Sequence, residues 1–333
     1  MTEVQDRADI ARAVALLRAG ELVAFPTETV YGLGADAQNP AAVAKIFSVK
    51  GRPADHPLIV HLPDAEHLTE WAREIPREAI ALSHAFWPGP LTLILKRSEI
   101  VPDAVTGGQD TVGLRVPAHP LALKLLQAFG SGLAAPSANR FGRVSPTTAQ
   151  HVRDELGDAV PLVLDGGACQ VGIESSIVDL SQGAPVLLRP GMISRREIEA
   201  VIGRPVREAA SARPATRASG MLEAHYAPST LLVMLESGQI AARLRERLQS
   251  GERTGVVSWS PAPEGLDAPC VWHYIGPDAV AYAKGLYASL RALDQLGLAC
   301  IFVEAPPEGP DWAPICDRLA KSVAGSGESA EAP

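Results

Sequence analysis

The sequence predicts an α/β protein in which one large, twisted mixed sheet covered by helices is followed by a smaller α/β domain. Three observations predict it. Short apolar runs suited to strands recur from Leu22 to Leu188, segments with helical apolar spacing interrupt them irregularly, and residues 208–220, without apolar periodicity, separate them from a second, shorter set. The irregular order favours a mixed sheet over a strict strand-helix-strand repeat.

Taken in order, Ile10, Val14 and Leu17 recur at helical spacing between Arg7 and Ala19, and Gly20 follows as a C-terminal cap. Residues 22–25 form a short apolar strand stopped by Pro26, which empties into a glycine-bearing loop over residues 27–34. Asn39-Pro40 is a helix start, cap then first-turn proline, and Val43, Ile46 and Phe47 give that helix a buried stripe ending close to Lys50. Further strands are expected at residues 58–62, 91–95, 112–116, 133–135, 162–164, 176–180 and 186–188, and helices at 77–84, 121–129, 147–156 and 195–201. These elements define a first domain over residues 2–207, with a linker over 208–229. Beyond it, strands at 231–235, 256–259, 271–275 and 301–303 alternate with helices at 240–248 and 280–296, a small Rossmann-like layout of parallel strands over residues 230–322. Residues 323–333, rich in Gly, Ser, Ala and Glu, read as a mobile tail.

Composition bounds the function. A chain of 333 residues, 47% hydrophobic and 20% charged, is long and apolar enough for two packed cores. The first ten residues lack the apolar centre of a secretory signal, and no apolar run approaches the roughly 20 residues that cross a bilayer. A cytoplasmic protein without membrane partners is expected. The four cysteines, Cys169, Cys270, Cys300 and Cys316, show neither paired spacing nor a nearby histidine pattern, so no disulfide framework or zinc site is indicated. A net charge of -8 argues against nonspecific affinity for nucleic acid, which rests on lysine and arginine neutralising phosphates.

Neither a P-loop signature nor a Gly-x-Gly-x-x-Gly turn occurs at a strand-to-helix junction, so any nucleotide site is built differently. The informative residues are polar and basic groups beside the expected strands. Lys50-Gly51-Arg52-Pro53 leaves a helix end, with His56 and His61 following. Lysine as a point charge and arginine as a planar fork suit a polyphosphate, although the same segment fits a solvated helix end whose cations face the macrodipole. Arg115, inside an apolar strand, reads on its own as an outward-facing surface residue. Ser137-Ala138-Asn139 after the run at 133–135 offers hydroxyl, amide and backbone donors, or simply makes an Asx or Ser turn. Arg189-Pro190-Gly191 closes one strand, and Ser175-Ser176 opens another. Together they outline a polar cleft. In the second domain Gly276-Pro277-Asp278 is assigned no chemistry.

Several of these segments carry a resemblance. Pro26-Thr27-Glu28-Thr29-Val30-Tyr31-Gly32-Leu33-Gly34, Lys50-Gly51-Arg52-Pro53, Pro57-Leu58, Trp87-Pro88-Gly89-Pro90-Leu91-Thr92, Pro136-Ser137-Ala138-Asn139 and Arg189-Pro190-Gly191 closely resemble the YrdC-like domain of threonylcarbamoyl-AMP synthases. The match runs over about residues 10–201, and Gly220-Met221 with His225-Tyr226-Ala227-Pro228 is similar to the linker of the longer, two-domain members.

The resemblance implies that threonine's amine takes up bicarbonate and that the resulting carbamate attacks the α-phosphate of ATP, expelling pyrophosphate. By similarity, threonine is held by Thr29, His61, Arg115, Ala135 and Ser175, with Arg115 against its carboxylate. ATP is held by Arg52, His56, Thr111, Ser137, Asn139, Ser145, Arg189 and Tyr226, with Lys50 and Arg52 as the catalytic cations. A magnesium ion would bridge phosphate oxygens without a protein carboxylate cage, and no metal ligands are assigned. The product would pass to a tRNA-modifying transferase, with at most a weak contact to tRNA itself, and the linker would close over the ATP cleft. Two departures stand out: His56 occupies a position where relatives also carry asparagine, and Ser176 one where threonine is frequent. Two other readings compete. A noncatalytic RNA-binding module of this fold is disfavoured by the acidic net charge, and the carbamoyl-transferring domain of hydrogenase maturation by the missing cysteine-rich zinc segments.

Overall fold

A computed structural model describes residues 3–209, 216–263 and 270–326, with side chains from Arg7 onward. The chain divides into two compact units. The first takes the described residues up to Phe141, then Pro146–Gln170 and Glu174–Met221; the second takes Gly142–Ser145, Val171–Ile173 and the described residues from Leu222 on.

The first unit holds a ten-stranded mixed sheet. Its strands are β1 (Val23–Phe25), β2 (Gly32–Asp36), β3 (Ile59–His61), β4 (Ala72–Arg73), β5 (Leu91–Arg97), β6 (Thr111–Arg115), β7 (Leu133–Ala134), β8 (Ser176–Asp179), β9 (Val186–Arg189) and β10 (Arg207–Glu208). Their spatial order is β1-β2-β7-β3-β6-β5-β8-β9-β10, with β4 added to β5. The helices are α1 (Glu3–Arg18), α2 (Pro40–Lys50), α3 (Leu68–Trp71), α4 (Arg77–Phe86), α5 (Asp103–Thr106), α6 (Pro120–Phe129), α7 (Ala149–Leu156) and α8 (Arg195–Ile202).

Strand alternation gives this sheet two different faces. Val60, Leu93, Leu95, Val112, Leu114, Val178 and Leu187 point one way and join one core with Val43 and Ile46 of α2, Leu82 of α4 and Ile198 of α8. On the other side Ile94, Ile177, Val186 and Leu188 form a small apolar floor with Ile59, covered by Ala218 and Met221 of residues 216–221. Polar positions on that floor's side of the sheet are the ones that matter below.

Helix ends follow their local chemistry. The Asn39 side chain accepts hydrogen bonds from Ala41 N and Ala42 N ahead of Pro40, and Gly51 closes α2 in the left-handed region. Ser194 and Glu197 form a reciprocal capping box on α8.

Several expectations need correction. The loop at 27–34 ends in the first residues of β2, which pairs antiparallel with β1 as a hairpin. Glycines at 32 and 34 disguise the strand, and Gly34 is required there because a Cβ would lie 2.8 Å from the Phe25 ring. Residues 162–164 make only an isolated bridge from Val163 to Ala24. Helix α11 (Ala313–Ala324, below) was not anticipated, and it takes in Val323 and Ala324 from the expected tail, whose residues 327–333 lie outside the described residues. The unit boundary falls after Met221, inside the expected linker at 208–229, of which residues 210–215 also lie outside the described residues.

The second unit is an all-parallel sheet of β11 (Leu231–Leu235), β12 (Thr254–Ser258), β13 (Val271–Tyr274) and β14 (Cys300–Glu304), in the order β11-β14-β12-β13. Its helices are α9 (Ser237–Gln249), α10 (Ala279–Asp294) and α11. Ile240 and Leu244 of α9 pack on Val256, Cys300 and Phe302. Asp278 of the Gly276-Pro277-Asp278 turn caps α10 by accepting from Ala281 N, a structural use of that motif. The segment 142–145 belongs here through Arg143, paired with Asp294 at 2.9 Å, and through Arg291, whose Nε donates to Ser145 O.

Gly107 ends α5 at φ +60°, and a Cβ there would lie 2.1 Å from the backbone oxygen of Asp55. Gly107→Ala therefore meets both a disfavoured backbone region and a rigid obstacle, and is expected to cost about 2 kcal/mol or more, read as a lower denaturation midpoint. An unshifted midpoint contradicts the packing of the 53–57 loop against α5.

Candidate active site

His61 and Arg115 face each other across the parallel strands β3 and β6. Thr92 follows one step beyond the Leu93–Leu114 pair of β5 and β6, and Ile177 stands beside Thr92 on β8. Plain alternation along β9 would send Arg189 to the face of Leu187. A register shift between Ile177 and Val178 sets Arg189 opposite Ile177 instead. One row across the sheet thus reads His61, Arg115, Thr92, Ile177, Arg189, every member buried.

Arg115, read from sequence as a surface residue, is 4% exposed and tightly held. Its Nε donates to Gly89 O at 3.2 Å, and its Nη2 to Glu28 Oε1 at 2.7 Å and Thr29 Oγ1 at 2.9 Å. Thr27 gives its hydroxyl proton to Val30 O, so Thr29 donates to Thr27 and is left to accept from Arg115. No hydrogen bond from Arg115 Nη1 to a described residue accompanies these.

Beside it, the His61 ring stands edge-on to Phe25, and its buried Nδ1 has no hydrogen-bond partner among the described residues. Burial first, and then the Arg115 cation, push the imidazole down to about 3. His61 is thus a neutral group with one buried nitrogen left without a hydrogen-bond partner among the described residues. Leu133 pairs with His61 on β7, and Ala135 lies two residues further along, its N–H donating to Ile59 O.

At the other end Arg189 Nε donates to Ser175 O at 3.0 Å and Nη2 to Ser175 Oγ at 3.1 Å, while Ser175 Oγ lies 2.8 Å from Thr92 Oγ1. Ser175 is therefore a joint between the arginine and the middle of the row. Arg189 Nη1 also donates to Ser219 O.

The second cationic group is Lys50 and Arg52. Both are buried, unlike the cations of a solvated helix end. Lys50 is the last residue of α2, and its Nζ donates to Ser137 O at 2.6 Å and to Asn139 O, which ties the helix end to the Ser137-Ala138-Asn139 turn. Burial, followed by repulsion from Arg52, pushes the Lys50 ammonium down to about 7. Arg52 lies 5.7 Å over the Phe141 ring and donates to Pro57 O and Ser219 Oγ. His56 meets the same ring edge-on, its pKa lowered by burial and by Arg52.

Thr111, two residues before Gly113 on β6, lines a narrow cleft with Ile59, Ile94, Ile177, Ala218 and Ser219. Residues 216–221 lie across this face of their own unit. Arg217 pairs with Asp55 at 2.9 Å, and its backbone exchanges two hydrogen bonds with the Gln109 side chain.

The first unit thus brings together Thr29, His61, Arg115, Ala135 and Ser175, and also Lys50, Arg52, His56, Thr111, Ser137, Asn139 and Arg189. Ser145 and Tyr226 belong to the second unit. There Tyr226 is 1% exposed, stacked at 5.9 Å on Tyr287 and beneath Arg318, with a φ of 61°. Sequence reasoning passed over Glu28, Thr92, Gln109, Arg217 and Ser219. Glu28 sits inside a quoted motif, but its partner lies 87 residues away and nothing local signals the pairing.

The chain is similar to known proteins over nearly its whole length. Residues 15–191 match the Sua5/YciO/YrdC family profile, described as telomere recombination. Residues 193–324 match that of the C-terminal domain of threonylcarbamoyl-AMP synthase. The threonylcarbamoyl-AMP synthase of Pyrococcus abyssi is 42% identical, over 93% of this chain and 92% of its own length. That of Bacillus subtilis is 41% identical, over 95% and 93%. Among solved structures, Pyrococcus abyssi Sua5 complexed with L-threonine is similar with a TM-score of 0.88 and 41% identity, covering 95% of each chain.

The His61 environment yields a test. Because its folded value of about 3 lies below the ordinary 6.5, the unfolded chain takes up the proton first, and stability present above about 6.5 is lost as pH falls from there toward 3. The His61 ring resonances are expected not to titrate between about pH 5 and pH 8. A titration midpoint near 6.5 contradicts the buried, cation-flanked placement.

Proposed function

Because the chain belongs to the threonylcarbamoyl-AMP synthase family, we propose that its first unit joins L-threonine, bicarbonate and ATP into threonylcarbamoyl-AMP and releases pyrophosphate. The observation that carries this reading is the single row in which Arg115, suited to a carboxylate, neighbours Thr92 across β6 and β5, and Thr92 is linked through Ser175 to Arg189, suited to phosphate.

In this reading the open Nη1 edge of Arg115 takes the threonine carboxylate, and Thr29, Ser175, Ala135 and the Nδ1 of His61 surround the rest of the amino acid. The threonine nitrogen bonds to the carbon of bicarbonate with loss of water. A carbamate oxygen then attacks the α-phosphorus of ATP, and the bond to the bridging oxygen breaks to free pyrophosphate. Displacement at phosphorus asks for alignment and for cations where negative charge gathers. Lys50, Arg52 and Arg189 supply those charges, and His56, Thr111, Ser137 and Asn139 complete the nucleotide's surroundings. Among the described residues no three His, Cys, Asp or Glu side chains gather into a metal cage, so magnesium is proposed to arrive on the phosphates of ATP itself.

The product would go to a transferase that modifies tRNA, in the cytoplasm; no described helix is long and apolar enough to cross a membrane. A weak tRNA contact is compatible with this, whereas a purely RNA-binding role is opposed by the net charge of -8. The linker is proposed to act as a cover that keeps water from the acyl-adenylate, with Arg217 as its latch.

Pyrophosphate release is expected to require both L-threonine and bicarbonate. Equal release without bicarbonate contradicts the carbamate as nucleophile. Serine should react more slowly, because a methyl in a fitted pocket is worth about 1 to 3 kcal/mol. Arg217→Ala should raise AMP formed per threonylcarbamoyl-AMP retained, through hydrolysis of the intermediate. An unchanged ratio leaves residues 216–221 as a tether.

A further inference from the structure

Arg115 is fixed at three points, and one of its partners is an acid that no part of the proposed chemistry uses. Glu28 is 5% exposed. Its Oε1 accepts from Arg115 Nη2 at 2.7 Å, and its Oε2 accepts from Ala118 N at 3.0 Å. The carboxylate is thereby anchored to the backbone just beyond β6, the strand that carries Arg115. With Nε on Gly89 O and Nη2 shared between Glu28 and Thr29, both the plane and the rotation of the guanidinium are set.

We propose that Glu28 is a positioning residue for the amino acid substrate: it locks the Arg115 fork so that the Nη1 edge meets the threonine carboxylate. The inference rests on the reading that Arg115 receives that carboxylate.

Two physical points support it. An arginine side chain has several rotatable bonds, and ordering it only when substrate arrives weakens binding; a buried guanidinium that is already set avoids that loss. The pair also settles charge. A lone guanidinium at 4% exposure would be strongly disfavoured, whereas the Glu28 carboxylate at 2.7 Å compensates it before substrate binds. Selectivity for a carboxylate then comes from the direction of the free N–H groups more than from net attraction.

Glu28→Gln keeps the shape but turns one oxygen into an NH2 that faces a donor, either Arg115 Nη2 or Ala118 N–H. Glu28→Asp keeps the charge and withdraws it. With the full-length chain, L-threonine and its alcohol analogue threoninol are titrated without ATP, and KM and kcat are measured with ATP and bicarbonate. Glu28→Gln is expected to weaken threonine binding about tenfold, with the matching rise in KM for threonine. The KM for ATP and kcat at saturating threonine should change less than about threefold. Threoninol, lacking the carboxylate, should bind both proteins equally, and Glu28→Asp should fall between wild type and Glu28→Gln. Equal weakening of threonine and threoninol, or a fall in kcat with unchanged KM for threonine, assigns Glu28 to general structure and overturns the proposal. Arg115→Lys separates the two levels. If it weakens threonine while Glu28→Gln and Glu28→Asp leave it unchanged, the positioning role is wrong and the site stands; if it leaves threonine affinity unchanged, the site reading itself fails.

Discussion

A guanidinium buried in the middle of a sheet must be given partners by the fold, and the Arg115–Glu28 pair is where this chain meets that demand. Leaving such a charge without compensation would cost several kcal/mol, so the fold brings the β1–β2 connection against the end of β6. That one contact joins residues 87 positions apart and fixes the Thr27-Glu28-Thr29 turn, through which Thr29 also reaches the arginine. The sheet's division into an apolar face under helices and a polar row on the other side organises the rest.

The cations follow the same logic with different partners. Lys50 is satisfied by the carbonyls of Ser137 and Asn139, Arg52 by Pro57 O and the Phe141 ring, and Arg189 by Ser175 and Ser219. Each is held by neutral oxygens or a ring face, without an ion pair to Asp or Glu in these contacts. The partners in these contacts are uncharged, which suits groups proposed to meet a polyphosphate. Arg115 is the exception, neutralised by Glu28, and that contrast separates the region suited to an amino acid from the region suited to phosphates.

Much of the fold was legible in the sequence because local rules decide it. The Asn39-Pro40 start of α2, the apolar runs of β5 and β11, and the parallel second sheet follow from caps and periodicity. The hairpin strand β2 was hidden because its glycines make room for Phe25, a neighbour that only pairing supplies. Arg115, Lys50 and Arg52 were legible by type and illegible by burial, since what buries them comes from Glu28, Asn139 and Phe141. Glu28 and Thr92 matter only through distant partners, and Arg189 reaches the row only through a bulge that no spacing in the sequence reports. The unit boundary after Met221 falls inside the expected linker, and residues 216–221, which resemble linker by composition, pack on the first unit's sheet.

One row of the first unit's sheet is proposed to place an amino acid carboxylate and a nucleotide's phosphates side by side. A structure of the full chain bound to L-threonine and a nonhydrolysable ATP analogue tests it most directly. The account predicts the threonine carboxylate at about 3 Å from Arg115 Nη1, with Glu28 unmoved on Arg115 Nη2, and the phosphates against Lys50, Arg52 and Arg189. Threonine held away from Arg115, or phosphates bound outside that cationic edge, would contradict it.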